Sequence, residues 1–435
     1  MKANIMQKNP FFRYLTFLIA FLLLLVTSQT ALTAPNQTTR VSVGTDGQEG
    51  DGYSSKATLS DDGRFVAFQS SANNLAAEDT NEISDIFIHD RLTGETTVAS
   101  VASDGEQANG YSLEPAISGD GRFVAFRSSA TNLVAEDTST TGDIFVHDLH
   151  TGETTRVSVT SNGTEANRFS DNPAISGDGR YVTFRSLASN LATGCTNGTY
   201  HIFVRDRQNG TTTCVSVDSS GVQGNDASEL PAISADGNTV VFRSIASNLV
   251  AGDNNNTVDI FIHDLLTDET TLASVASGGE QANRYSSDAA ISGDGRFVAF
   301  RSDATNLVPV DTNGNSDIFV HDRQSKETTL ISVNSAGEQG IGNAYMPTLS
   351  WNGRFVAFVS NSTNLIAEDT NSNHNVFVYN RQTGETLLAS AASNGTQGDD
   401  SSVYPSLSGD GRYVGFISRA TNLVPGDTNM SDDVF

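Results

Sequence analysis

A glycine returns every 58 residues. It stands at Gly63, Gly121, Gly179, Gly237, Gly295, Gly353 and Gly411, each time inside one short pattern. The pattern is "LSDDGRFVAF" from Leu59, "ISGDGRFVAF" from Ile117 and Ile291, and "ISGDGRYVTF" from Ile175. It continues as "ISADGNTVVF" from Ile233, "LSWNGRFVAF" from Leu349 and "LSGDGRYVGF" from Leu407. All seven copies keep the spacing without insertion or deletion. A long, strict period means that one supersecondary unit is stacked on copies of itself, so the fold of the unit decides the fold of the chain.

The unit reads as four strands. In the third copy, Asn172 to Ser176 is a first strand, and "GDG" is a tight turn whose glycine accepts positive φ. Arg180 to Ser186 follows as a second strand, apolar on both faces and so expected to be buried on both. His201 to Arg207 and Thr211 to Val217 complete the set, joined by "QNG". β-Branched and aromatic residues dominate all four, and no helical period appears after the leader. Four antiparallel strands repeated radially make a β-propeller, and a blade pressed between two others explains the doubly apolar strand. A solenoid is the competing repeat fold, but its coils are usually shorter. The expected fold is therefore all-β, a seven-bladed β-propeller of four-stranded antiparallel blades.

The two ends of the chain bear on closure. "TTRVSV" (Thr38 to Val43) has the character of a fourth strand yet precedes the first full repeat, so it is expected to complete the last blade and close the ring. The sequence stops at Phe435, the equivalent of Phe319, about five residues before a third strand would end by the repeat register. A closing blade built with a stub and a truncated sequence both fit, and truncation is the expectation.

Residues 1–34 read as a signal peptide and residues 35–435 as the propeller. Lys2, Lys8 and Arg13 precede an apolar run from Leu15 to Val26, and small residues place cleavage near Ala31 or Ala34. The run is short for a membrane span, with an uncleaved anchor as the alternative. The expected location is periplasmic or secreted, with no membrane contact beyond the leader. The formal charge is −26, and −29 without the three basic leader residues. Such a chain repels phosphate backbones, which argues against a nucleic-acid partner.

"ISGDGRFVAFRS" from Ile117, with "DIFVHDLHTGETTRVSV" ending at Val159, resembles the WD-like (PD-type) repeat of bacterial TolB-type propellers. The resemblance covers nearly the whole chain after the leader. It implies a propeller and an exported binding scaffold. Two departures stand out: Gly119, Gly177, Gly293 and Gly409 take the place where that family often has Pro, and there is no room for the extra N-terminal domain usual in TolB. A Tol–Pal role is therefore not carried over.

One acidic loop recurs before each third strand. Its copies are Asp79, Asn81 and Asp85; Asp137, Ser139 and Asp143; Cys195, Asn197 and His201; Asp253, Asn255 and Asp259. The remaining copies are Asp311, Asn313 and Asp317; Asp369, Asn371 and Asn375; Asp427, Asn429 and Asp433. Calcium takes six to eight oxygens, and short Asp/Asn loops supply them, so the four complete Asp-Asn-Asp sets are candidate Ca2+ ligands. They lack the reliable i+4 ligand and the distal bidentate acid of an EF-hand, and Asp or Asn can equally cap a turn through its own backbone. The only cysteines, Cys195 and Cys214, both depart from the pattern in the third repeat, which predicts a disulfide in an exported chain.

His89, His147, His263 and His321 share one repeat position, as do Arg64, Arg122, Arg180, Arg296, Arg354 and Arg412, and likewise Arg127, Arg185, Arg243 and Arg301. Repetition points to structural roles, and the arginines are expected to pair with carboxylates between blades. No Gly-x-Ser-x-Gly elbow, zinc signature or unique carboxylate pair stands out. The expected function is a non-catalytic, monomeric scaffold for a protein or glycan. Its ligand face is expected near Trp351, Tyr345, Tyr379 and Tyr404, or at loops such as "SDGEQANGYS" from Ser103. The alternative is a propeller hydrolase or lyase acting on a polysaccharide or peptide through the central funnel.

Overall fold

A computed structural model describes residues 37–435 apart from Glu136, Thr140 and Glu368. The leader reading of residues 1–34 lies outside the described residues. The 58-residue units fold as seven blades. Six are four-stranded sheets with strands in sequence order, and the last is three-stranded. Every pairing is antiparallel, and no helix occurs among the described residues. Blade 1 comprises Ser54–Leu59, Phe65–Ser70, Asp85–Asp90 and Glu95–Val98. In blade 3 the observed strands are Ser170–Ile175, Tyr181–Ser186, His201–Asp206 and Thr211–Cys214. The first begins two residues earlier than the sequence suggests and the fourth ends three residues sooner.

Second and third strands are the core. Phe68 and Phe87 stack at 5.8 Å, and the equivalent pair recurs in every blade down to Phe416 and Phe435 at 5.8 Å. Twelve of these phenylalanines are fully buried. Each hydrophobic cluster joins second- and third-strand residues of adjacent blades, such as Ala125, Ile144 and Val146 with Val182, Phe184 and Phe203. This is why the second strand must be apolar on both faces.

The ring closes as the sequence suggests. Val41 N–H donates to the Val434 carbonyl (2.7 Å), as Ala99 does to Ile86 (2.7 Å) inside blade 1. The segment before blade 1 thus takes the outer place beside Asp433–Val434.

A second ring of hydrogen bonds surrounds the axis at the first turns. Asp61 N–H reaches Gly119 O, Asp120 reaches Gly177, Gly177 reaches Ala235, and Asp236 reaches Gly293. Asp294 reaches Trp351, Trp351 reaches Gly409, and Asp410 returns to Asp61. Every blade-to-blade junction carries one such bond. The crowding explains the glycines at this position: a Cβ on Gly119 would lie 2.3 Å from Asp61 Oδ2, and one on Gly177 would lie 3.0 Å from Ala235 O.

Candidate functional site

Two arrangements carry the polar chemistry of the fold: a node at the acidic loop of each blade, and a ring of side chains on the inner strands.

In the nodes of blades 1, 4 and 5 a glutamine bridges the two acids. Gln107 comes from the loop leading to the next blade, and its Nε2 donates to Asp79 Oδ1 (2.8 Å) and Asp85 Oδ2 (2.9 Å). Gln281 does the same for Asp253 and Asp259, and Gln339 for Asp311 and Asp317. The amide is oriented by its other end, because Thr80 N–H donates to Gln107 Oε1 (3.0 Å). Asn81 is likewise engaged at both ends, giving Nδ2–H to Ala108 O and accepting from Ile83 N–H. The second acid also accepts from a buried serine, Ser100 Oγ to Asp85 Oδ1 at 2.6 Å. Burial pushes Asp85, Asp259 and Asp317 up to about 6. As arranged, amide hydrogens face the two carboxylates. Ca2+ accepts only oxygen ligands and does not fit there unless the glutamine turns over and gives up its bond to Thr80. The expected calcium ligands Asp79, Asn81, Asp85, Asp253, Asn255, Asp259, Asp311, Asn313 and Asp317 are thus gathered blade by blade, around an amide.

Blades 2 and 7 solve the same problem with charge. Glutamate replaces the glutamine, as Glu165 and Glu49, and an arginine replaces the apolar residue that ends the fourth strand, as Arg156 and Arg40. Arg156 Nη1 stands 3.0 Å from Asp137 Oδ1 and 2.9 Å from Glu165 Oε1. Arg40 Nη1 stands 2.6 Å from Glu49 Oε1 and 3.5 Å from both Asp427 and Asp433. Asn429 gives its amide to Gly50 O and Asp433 Oδ2. Asp143 and Asp427 are again raised to about 6, chiefly by burial. In blade 6 Gln397 bridges Asp369 and Asn371.

Blade 3 replaces the acids altogether. Cys195 and Cys214 form a disulfide with Cα atoms 6.3 Å apart. His201 takes the place of the second acid, with Nδ1 at 2.9 Å from Ser216 Oγ and Nε2 at 2.8 Å from Asn197 Oδ1.

The inner ring lies where every first strand bulges. The register slips between Ser55 and Thr58, and at the same place in the other six blades. The bulge residues are Lys56, Glu114, Asn172, Leu230, Asp288, Met346 and Tyr404, all at φ between +48° and +57°. A non-glycine residue there costs about 1–2 kcal/mol, so seven repeats keep a strained conformation at one position. They converge on the axis. Lys56 Nζ lies 4.2 Å from the centre of the Tyr404 ring, and Asn172 N–H donates to Glu114 Oε2 at 2.9 Å. Burial desolvates the Lys56 ammonium and lowers its pKa, opposed by the charges of Glu114 in the next blade and of Asp288. Two residues further along stand Thr58, Ala116, Ala174, Ala232, Ala290, Thr348 and Ser406, all small and partly exposed.

Other expected site residues land elsewhere. Trp351 belongs to the axial ring of first turns, at the other end of the inner strand from Tyr345, and Tyr379 sits on a third strand. The four aromatics therefore do not share a face. The loop amides are internally committed: Asn109 bonds Asn132 and Thr131, as Gln107 bonds the node. Each repeated histidine meets a threonine, His89 Nδ1 to Thr96 Oγ1 at 2.9 Å, and that hydroxyl donates to Val43 O of the preceding unit. Arg64, Arg122, Arg180 and Arg296 pair with Asp90, Asp148, Asp206 and Asp322 inside their own blades, a correction to the expected cross-blade pairing. The second strand delivers these arginines directly beside the end of the third. Arg185 does bridge blades, from Asp171 to Glu229.

No family model matches the sequence, and no curated protein aligns with it. Solved propellers do align by fold. An oligogalacturonate lyase from Vibrio parahaemolyticus matches at TM-score 0.52 and 12% identity, over 88% of each chain. The propeller domain of the Trilobed protease from Pyrococcus furiosus matches at 0.51 and 13%, over 84% of this chain and 91% of that one. TolB from Acinetobacter baumannii aligns at 0.42 and 15%, over 78% of this chain and 63% of TolB. At such identities the likeness is one of fold, and fold does not name a function.

Proposed function

We propose that this chain is an exported, non-catalytic propeller that binds a protein or glycan partner at the mouth of its axial channel. One observation carries the reading. Repeats that are near-identical in their first turns and core strands share no residue at the inner bulge, where Lys, Glu, Asn, Leu, Asp, Met and Tyr each occur once. A position that only shaped the ring would be free to repeat like its neighbours. A bulge that re-aims a side chain beside a ligand gains from seven different groups, and strain held at one place is a common mark of such sites. The neighbouring bulge position varies too, from Ser55 and Leu113 to Glu229 and Tyr345. Exposed Tyr53 (44%) and Tyr111 (57%), at the starts of the inner strands, add stacking surface at the same end. The hydrolase or lyase reading has less support. Among the acids near the axis, Asp61 has its pKa raised by burial and by like charges on Asp62, Asp120 and Asp410, with no cationic partner among those influences.

The test is a binding screen of the mature protein against glycan arrays and displayed peptide libraries, repeated with Lys56→Ala, Glu114→Ala and Tyr404→Ala. The ring variants should lose the ligand while melting like the parent, whereas Leu92→Ala and Leu266→Ala, on exposed outer turns, should keep it. A ligand indifferent to all three ring variants would move the site off the axis.

A further inference from the structure

The blade 3 node differs from the other six at three positions at once. The equivalent of Cys195 is aspartate in every other repeat. The equivalent of Cys214 is valine, leucine or arginine, and that of His201 is aspartate in five repeats and asparagine in one. The disulfide accounts for the two cysteines. It does not account for the histidine, since asparagine serves at that position in blade 6, where Asn375 accepts from Ser390 Oγ. All three replacements are to residue types that bind zinc, and borderline-soft N and S donors select Zn2+ over the hard cations suited to carboxylates.

The placement agrees with the chemistry. One ligand atom each from Cys195, His201 and Cys214 lies within 4.8 Å of the others. Thiolates on a tetrahedral zinc stand about 3.8 Å apart, from Zn–S bonds of about 2.3 Å. Opening the disulfide and a small side-chain rotation would reach that spacing. The site also has an approach: an outer groove of about 1100 Å3 between blades 3 and 4 is lined by Thr193, Gly194, Thr213, Cys214 and Val217.

We propose that blade 3 carries a thiol-dependent Zn2+ site, formed by Cys195, His201 and Cys214 when a dithiol reductant opens their disulfide. The dithiol gives two electrons and two protons to the Cys195–Cys214 bond and becomes a disulfide itself. Zn2+ then displaces those two protons from the thiols. Three protein ligands hold the ion, and the fourth position faces water or a ligand entering by the groove.

The experiment uses the folded mature protein treated with excess phosphine reductant, with two free thiols verified by thiol titration, and then titrated with Co2+ as a spectroscopic probe. One equivalent should produce a sulfur-to-cobalt charge-transfer band and tetrahedral d–d bands, which Zn2+ bleaches; unreduced protein should produce neither. His201→Asp restores the residue of the other repeats and keeps both cysteines, and it should weaken Co2+ at least tenfold. Two titrated thiols without a charge-transfer band would overturn the proposal. So would a disulfide that resists reduction until the protein unfolds, or a His201→Asp variant that binds Co2+ as well as the parent.

Discussion

Gln107 and Glu165 occupy the same place in two blades, and the difference between them decides what must stand nine residues earlier. Beside the neutral amide that residue is Val98; beside the carboxylate it is Arg156. Three carboxylates in one half-buried node need a cation, and Arg156, whose side chain is only 10% exposed, is placed to be it. Arg156→Leu should therefore cost about 3 kcal/mol in urea unfolding, the scale of a buried pair broken on one side. Adding Glu165→Gln restores the glutamine and leucine of the blade 4 node, with Ser139 in place of Asn255, and should recover most of that loss. Equal stability of the single and double variants would sink the account. The acids were legible in the sequence because they recur at i, i+2 and i+6. Their partner was not, since Gln107 reaches back 28 residues to Asp79 and no local period marks that distance. With the amide in place, the propeller should melt alike in calcium and in excess chelator at neutral pH. A rise specific to Ca2+ would mean that the glutamine turns over to offer its oxygen.

The strands were legible element by element, because each has its own pattern of apolar and turn residues. Their ends were less so: the fourth strand stops at Cys214, where the backbone leaves the ladder although its composition stays β-like through Val217. The inner bulge was invisible, since nothing in "EPAIS" or "YPSLS" signals a positive φ at Glu114 or Tyr404. The sequence marks the turn glycines for conformation but not for contact. A methyl added to Gly94 (φ +79°) would meet nothing within 4 Å, whereas one added to Gly179 (φ +70°) would lie 2.1 Å from Phe123 Cδ2 in the preceding blade. Gly94→Ala should thus cost about 1 kcal/mol, the left-handed penalty alone. Gly179→Ala adds overpacking against an aromatic ring and should cost roughly 3 kcal/mol. Chemical denaturation of the two variants separates conformation from packing at two turn glycines of similar positive φ.

At the scale of the ring, the period alone carried the fold, from blade number to closure by the segment before blade 1. It could not carry the site, because a site is where repeats differ, and a difference has no period. The repeats nevertheless act together in one property. Five blades each hold a buried acid near 6: Asp85, Asp143, Asp259, Asp317 and Asp427. In an unfolded chain an aspartate titrates at about 3.9. Between about pH 7 and pH 5 the folded ring therefore takes up protons that the unfolded chain does not, and stability rises as pH falls. The gain is complete once the unfolded aspartates also protonate, near pH 4. Below that the opposite group takes over. Asp90, held down to about 2 by Arg64, and Asp148 and Asp322, also held below the usual range by their arginines, lose their ion pairs as they protonate. The melting temperature should climb from neutral pH to a maximum at about pH 4 to 5 and then fall. Asp259→Asn removes one of the five and should flatten the climb without moving the acid-side fall. A melting temperature that declines steadily from pH 7 would show that the node acids are ionised and satisfied in the fold, and that the glutamine amides suffice to hold both charges of each pair.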